Sequence, residues 1–314
     1  ALISGLNIPV PAGTYKVLTG KLVLNNVGTS AATSQVNAAL ALDVVKAYDS
    51  QGALYTTAAG YTTDRDGREI RVYKSIPTVN HIDLTNTTVV EGQAMDLYKF
   101  SITAGSGGSI AIKQLSFPFT FSDGLGASDS TWTDTMEIES MKFYKNGSNI
   151  TSLVAMEEEG GADVEDATGL LESDSTLYVI WGTNASPNEE VIAAGETVTY
   201  TLRGTPQDFN NDGDPSEQDT VSIYLQGDAT HPSELAGAGT QGAVGVEGVC
   251  IDHTDTGGIW ELGATASAGT ACTTANTSQT AANFIWSDMS GAAHTSGETT
   301  SPDWTNGYLV LNLD

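Results

Sequence analysis

The sequence predicts an all-β protein of tandem Ig-like β-sandwich modules, and three observations carry that expectation. The chain is rich in Thr, Ser, Gly and Ala and poor in Lys and Arg, which suits strands joined by polar loops better than helices. Its apolar residues fall in short runs that alternate with polar ones, the period of a strand with one buried face. Gly, Asn, Asp and Ser clusters separate these runs and read as turns. At 314 residues there is room for about two domains, each with a core of its own.

Taken in order, Ile3–Pro9 and Thr14–Leu24 read as strands joined by Pro11-Ala12-Gly13. Val36–Tyr48 is long enough for a helix, but its alternation and flanking turns favour strand. An Asp49–Gly52 turn, a strand at Ala53–Ala58, a second turn at Asp64–Gly67 and a strand at Glu69–Tyr73 follow. Beyond Pro77 come Val79–Leu84, Met95–Ile102, Ser109–Phe121, Met136–Tyr144, Leu153–Met156, Leu177–Trp181, Thr197–Leu202 and Thr220–Leu225. The acidic residues at Glu157–Glu159 and Asp163–Asp166 read as a solvated loop. After Asp228 the Gly/Ala-rich stretch Leu235–Gly248 reads as a linker or long loop, ahead of a Thr-rich region carrying Cys250, Trp260, Cys272, Trp286 and Trp304.

The most specific chemical pattern lies between Thr197–Leu202 and Thr220–Leu225, two segments expected to form a β-hairpin. Counted from Asp208, oxygen-bearing side chains occupy positions 1 (Asp208), 3 (Asn210), 5 (Asp212), 7 (Asp214), 9 (Ser216) and 12 (Asp219). Gly213 stands at position 6. That is the spacing of a twelve-residue calcium loop, in which glycine allows the sharp turn around a hard cation. Asp219 stands where such loops usually carry glutamate, and Glu217 is an alternative ligand. The plainer reading is a solvated Asp/Asn/Gly loop. With strands on both sides, a bound ion would rigidify the loop; it would not switch a pair of helices.

The formal charge of −27 comes from 39 acidic against 12 basic residues. Nucleic acid is therefore not expected as a partner, since phosphate binding needs a cationic footprint. No apolar run approaches the roughly 20 residues of a membrane-spanning helix. Ala1 in place of Met reads as the processed end of an exported chain, although an arbitrary boundary would look the same. In an oxidising compartment Cys250 and Cys272 would form a disulfide; the alternative is two structural thiols. The bridge would contribute on the order of 3 kcal/mol.

An internal correspondence adds an expectation about assembly. The chain reads VPAGTYKVLTG around Ala12-Gly13 and IAAGETVTYTLRG around Ala194-Gly195. If these positions are equivalent, the first module lacks the strands that precede its counterpart. The division expected is a partial module over 1–75, a complete module with the calcium loop over 76–234, and a linker with a C-terminal β region over 235–314. An incomplete sandwich exposes a strand edge. The missing strands come either from Ile259–Asp314 of the same chain or from a neighbouring subunit; a coincidental match is the bland alternative. In the second case Leu2, Ile3, Leu6 and Ile8 of the N-terminal strand are the candidate polymer interface, through strand addition that builds a homopolymer.

The segments IPVPAGTYKVLTGKL at 8–22, VYKSIPTV at Val72–Val79 and FIWSDMSGAAHTSGETTSPDWTNGYLV at Phe284–Val310 resemble the modular β-sandwich repeats of secreted bacterial cell-surface proteins. Those include surface-layer, adhesin-like and filament-forming members. The resemblance implies an extracellular structural role. The residues show no sorting signal, cell-wall-binding module or membrane anchor, which leaves the mode of attachment open.

No catalytic group is expected. Ile251-Asp252-His253-Thr254-Asp255 reads as a solvated loop. Ser287, Asp288 and His294 lie in one short segment without a nucleophile elbow or oxyanion loop around them. A glycosidase carboxylate pair is set by spatial separation and is invisible at this level. The five tryptophans read as core or interface residues, with stacking on surface glycans as the alternative. The expectation is an extracellular structural subunit that polymerises head to tail, stabilised by calcium and a disulfide; the alternative is an adhesin or carbohydrate-binding module.

Overall fold

The computed structural model describes residues 8–17, 21, 34–36, 39–40, 46–56, 65–66, 70–122, 124, 136–159, 164, 170–172, 174–183, 186–209, 219–227, 250–253, 260–263, 280–281, 283–290, 294 and 304–307. Among them the protein is all-β, and every strand pairing is antiparallel.

The first six strands form a ribbon. They are β1 (Ser34–Val36), β2 (Ala39–Leu40), β3 (Lys46–Tyr48), β4 (Leu54–Thr56), β5 (Arg65–Asp66) and β6 (Ile70–Val72). Their pairings nest, β3 with β4, β2 with β5 and β1 with β6, so the chain folds back on itself about the Asp49–Gly52 turn. Asp49 closes that turn by accepting the Gln51 and Ala53 N–H groups on Oδ1, each at 2.9 Å. Gly52 takes the positive φ of 81° that a side chain would resist. Within the segment Val36–Tyr48, the described residues 36, 39–40 and 46–48 are strand; 37–38 and 41–45 lie outside the described residues.

The body follows. Its first sheet contains β7 (Pro77–His81), β8 (Met95–Ala104), β10 (Glu137–Lys145), β11 (Ser148–Asn149), β13 (Leu170–Glu172) and β17 (Thr197–Gln207). The order is β11-β10-β17-β8-β7, with β13 also on β10. Its second sheet is built on β9 (Ile110–Ser122), with β12 (Val154–Glu158), β14 (Ser175–Thr183), β15 (Ser186–Pro187), β16 (Glu190–Ile192) and β18 (Thr220–Ile223). A small separate sheet holds β19 (Cys250–His253), β20 (Trp260–Gly263) and β21 (Thr280–Ala281). Finally β22 (Phe284–Ser287) and β23 (Trp304–Asn306) return to the second sheet, whose order is β12-β14-β9-β22-β23.

The two large sheets share one core. β17 shows the logic most plainly: TVTYTLRGTPQ places Val198, Tyr200, Leu202, Gly204 and Pro206 inside and the Thr residues and Arg203 outside. Phe100, Phe143 and Tyr200 of the first sheet meet Phe117 and Trp181 of the second. Ring centroids stand 5.5 Å apart for Phe143–Tyr200, 5.7 Å for Phe100–Phe117 and 5.9 Å for Phe143–Trp181. Each such pair contributes about 0.5–1.5 kcal/mol beyond the area it buries.

β9 is the spine. Along one edge it takes β16 and then β14, and along the other β22 and then β18. Residues on both of its faces are buried, Ile112, Leu115 and Phe117 toward the core and Gln114 and Ser116 away from it. Region 235–314, set apart in the sequence by its Gly/Ala-rich start, thus supplies two strands of the same sheet as β9 and β14.

The structure corrects the hairpin expected around the Asp-rich loop. β17 pairs with β8 and β10 in the first sheet, and β18 pairs with β9 in the second. The loop therefore crosses the sandwich. Alternation identifies a strand but not its partner, and twelve residues easily span the roughly 10 Å between packed sheets.

Candidate functional site

The Ala-Gly correspondence proves to be a shared turn. The Thr14 N–H donates to Pro11 O at 3.1 Å with Gly13 at φ 73°, and the Glu196 N–H donates to Ala193 O at 2.9 Å with Gly195 at φ 74°. A third copy, which the sequence reading missed, closes at Val90–Gln93, with a 3.2 Å bond and Gly92 at φ 68°. A positive φ at the third position is the mark of a type II turn, which glycine makes without strain. The motif is thus recurrent local chemistry and does not by itself establish two equivalent modules.

Of the calcium-loop residues, Asp208 and Asp219 are described; Asn210, Asp212 and Asp214 lie outside the described residues. Asp208 follows β17 in a left-handed conformation, φ 57°, which aspartate tolerates better than most residues. Asp219 is buried just before β18, and its Oδ1 accepts the Gly124 N–H at 3.1 Å. Phe209 anchors the loop's start against Phe121, with ring centroids 6.1 Å apart. Among the described residues no group of three or more His, Cys, Asp or Glu side chains gathers around a common point.

Cys250 stands on β19, and Cys272 lies outside the described residues. Of the candidate interface, Ile8 is half-buried and belongs to no strand; Leu2, Ile3 and Leu6 lie outside the described residues. Trp181, Trp286 and Trp304 are buried, so their rings are not open to a glycan.

The polar cluster that does assemble sits on the face of the second sheet turned away from the core. Lys113 falls where the register breaks: Ile112 pairs with Trp286 and Gln114 with Ile285, leaving one extra residue on β9. Such a bulge re-aims a side chain. Lys113 is buried, and its Nζ donates to the Asn188 carbonyl oxygen at 2.6 Å. Burial pulls its pKa from 10.5 down to about 8, partly opposed by the Glu189 carboxylate. Glu189 in turn meets His294, with Nε2 3.1 Å from Oε2 and 3.3 Å from Oε1. The other ring nitrogen, Nδ1, stands 3.4 Å from Ser287 Oγ, and the ring packs on Trp304 with centroids 5.1 Å apart.

Ser287 and His294 are therefore brought together, as their spacing allowed, but Asp288 serves elsewhere. Its Oδ2 accepts the Lys74 N–H at 2.8 Å, and its Oδ1 accepts the Ser290 N–H and hydroxyl. Glu189 takes the acidic place, 105 residues from His294 in sequence, a separation at which no local motif could signal it. Ser287 is fully buried, and its Oγ accepts the Met289 N–H at 2.9 Å. The arrangement suits a latch: it fastens β22 and the chain beyond it to the β16 segment, and Asp288 fastens the same strand to Lys74 at the base of the ribbon. Tyr73 reinforces that junction, its ring 5.1 Å from Trp286.

No family model matches the chain, and no curated protein matches it. A solved structure of AvmM, which catalyses macrocyclization in alchivemycin A biosynthesis, aligns over 48% of this chain and 72% of that one, with 11% identity and a TM-score of 0.23. At that similarity it carries no argument about fold or activity.

Proposed function

We propose that this protein is an extracellular structural subunit of tandem Ig-like modules that assembles head to tail into a surface filament or lattice. Calcium in the Asp208–Asp219 loop and a Cys250–Cys272 bridge would act as staples. The observation that carries the reading is the ribbon. Among the described residues β1 to β6 pair only with one another, and a lone two-stranded ribbon is marginal in water. Its outer edges offer backbone N–H and C=O groups to another strand. Of the described C-terminal strands that could have covered it, β19 to β21 pair among themselves and β22 and β23 are engaged on β9 and on each other, which favours a neighbouring subunit as the source of cover.

Charge supports the same direction. Residues 1–72 carry 6 basic and 5 acidic side chains, net +1, whereas residues 73–314 carry 6 basic and 34 acidic ones, net −28. Like bodies repel end to end unless a less acidic segment is interposed, and the N-terminal segment is the one available. Negative-stain electron microscopy with calcium and then chelator tests the proposal. Filaments or sheets that loosen on chelation, and that disappear when residues 1–10 are deleted, are expected. Discrete monomers under both conditions would overturn it.

A further inference from the structure

We infer that the outer face of the first sheet is a binding site for an acidic saccharide, independent of any assembly through the ribbon. Asp96 and Lys99 from β8, Thr199, Thr201 and Arg203 from β17, and Tyr144 with Asn146 at the end of β10 line an open cavity of about 460 Å³. That lies within the range of small-ligand sites. The pairing fixes the layout. Thr201 stands directly between Lys99 and Tyr144, and in the next outward row Arg203 stands between Asp96 and Lys142.

One wall is built before any ligand arrives. Asn146 and Gly147 form the tight turn between β10 and β11, with φ of 48° and 80°, the geometry Asn-Gly favours in two-residue hairpins. The turn is tied to β17 by two bonds: the Asn146 N–H donates to Thr199 O at 2.8 Å, and the Thr199 N–H donates to Asn146 Oδ1 at 2.9 Å. A wall already ordered costs little to recruit on binding.

The charge is out of keeping with the rest of the body. Only six Lys and Arg side chains occur in residues 73–314, and three of them, Lys99, Lys142 and Arg203, stand on adjacent strands of this face. Lys142 and Arg203 are directly opposite each other, a like-charge pairing that destabilises a sheet. Asp96 is the carboxylate beside Arg203 in this row. Its Oδ1 lies 3.8 Å from Arg203 Nε, outside hydrogen-bond range, and that Nε is buried without an acceptor among the described residues. A ligand carboxylate in the cavity would meet Lys99 and the exposed part of the Arg203 guanidinium.

The lining decides what bears that carboxylate. Two threonine hydroxyls, the Asn146 amide and the Tyr144 ring and hydroxyl offer donors, acceptors and an apolar face in the same cavity. Sugar hydroxyls and C–H faces use all of these, whereas an acidic peptide uses mainly the cations.

Isothermal titration of the full chain with trigalacturonate, maltotriose and triglutamate tests this. Trigalacturonate is expected to bind, with maltotriose about tenfold weaker or more, and its affinity should fall as salt rises. Arg203→Gln and Lys99→Gln should each reduce trigalacturonate binding about tenfold with thermal unfolding unchanged, and Tyr144→Ala should weaken both sugars. Absence of trigalacturonate binding at millimolar concentration, or binding indifferent to these substitutions, overturns the inference. Triglutamate binding as tightly as trigalacturonate also overturns it, and would assign the face to an acidic polypeptide.

Discussion

Replacing Lys113 by Met tests whether the buried cluster on β9 is a latch held under electrostatic cost. Lys113 is 1% exposed, and burial lowers its pKa from 10.5 to about 8. Below pH 8 the ammonium is charged in both folded and unfolded chains, so the cost of burying it is fully present. Between pH 8 and 10.5 the folded chain releases the proton while the unfolded chain keeps it. The unfolded state then binds more protons, and stability rises with pH. At about 1.4 kcal/mol per pH unit the whole window is worth roughly 3 kcal/mol. Met fills similar volume without a charge and has no such window. Urea unfolding of both proteins from pH 7 to pH 11 should therefore show the wild type gaining roughly 3 kcal/mol relative to the variant. Other titrating groups cancel in that difference. A difference that stays flat across the range would refute the assignment of Lys113 as a charged, buried group.

Three further outcomes are expected. Gly204→Ala should cost about 1–3 kcal/mol by overpacking, measured by urea unfolding. A Cβ there overlaps Ile138 Cγ2 and lies 2.8 Å from Met141 Sδ and 2.9 Å from Leu97 Cδ1. Tyr200→Phe removes the 2.8 Å bond from the buried hydroxyl to Glu190 Oε1, while Lys145 still pairs that carboxylate. A loss of about 1.5–3 kcal/mol follows for a bond to a charged acceptor, and an unchanged midpoint would count against the bond. Chelator should lower the melting temperature if calcium binds the native Asp208–Asp219 loop, because a ligand of the folded state raises its stability.

Much of the strand inventory was legible because alternation is written residue by residue. Thr197–Leu202 forms the first half of β17, and the described residues of Val36–Tyr48 are strand despite its helical length. What alternation withholds is the partner. Thr220–Leu225 read correctly as strand-like but was paired with the wrong neighbour, since nothing in its residues records which sheet it joins. Ser109–Phe121 reads as strand and forms β9, but its burial on both faces does not show locally: in IAIKQLSFPFTF the in-out rhythm that marks a surface strand breaks at Lys113 and Gln114. The bulge there, with Glu189 and His294, joins three distant segments and leaves no local trace. The cavity on the first sheet was hidden for a related reason. Its residues are ordinary outward positions of three strands, and only the register of β8, β17 and β10 lines them up.

The change of partner for β18 alters what a calcium ion would do. In a hairpin, an ion at Asp208–Asp219 would brace a loop between two strands already bonded to each other, and its loss would fray little beyond the loop. Here Asp208 follows β17 in the first sheet and Asp219 precedes β18 in the second. An ion held by both ends would tie the two faces of the sandwich together. Without it, carboxylates at both ends and along the loop repel one another across the same gap. The destabilisation on chelation would then be shared by the whole body, because separating the sheets at that point opens the Phe121–Phe209 contact and the core beneath it. Cooperative unfolding at a lower temperature, with no separate early transition for the loop, is the behaviour this topology requires of a calcium staple.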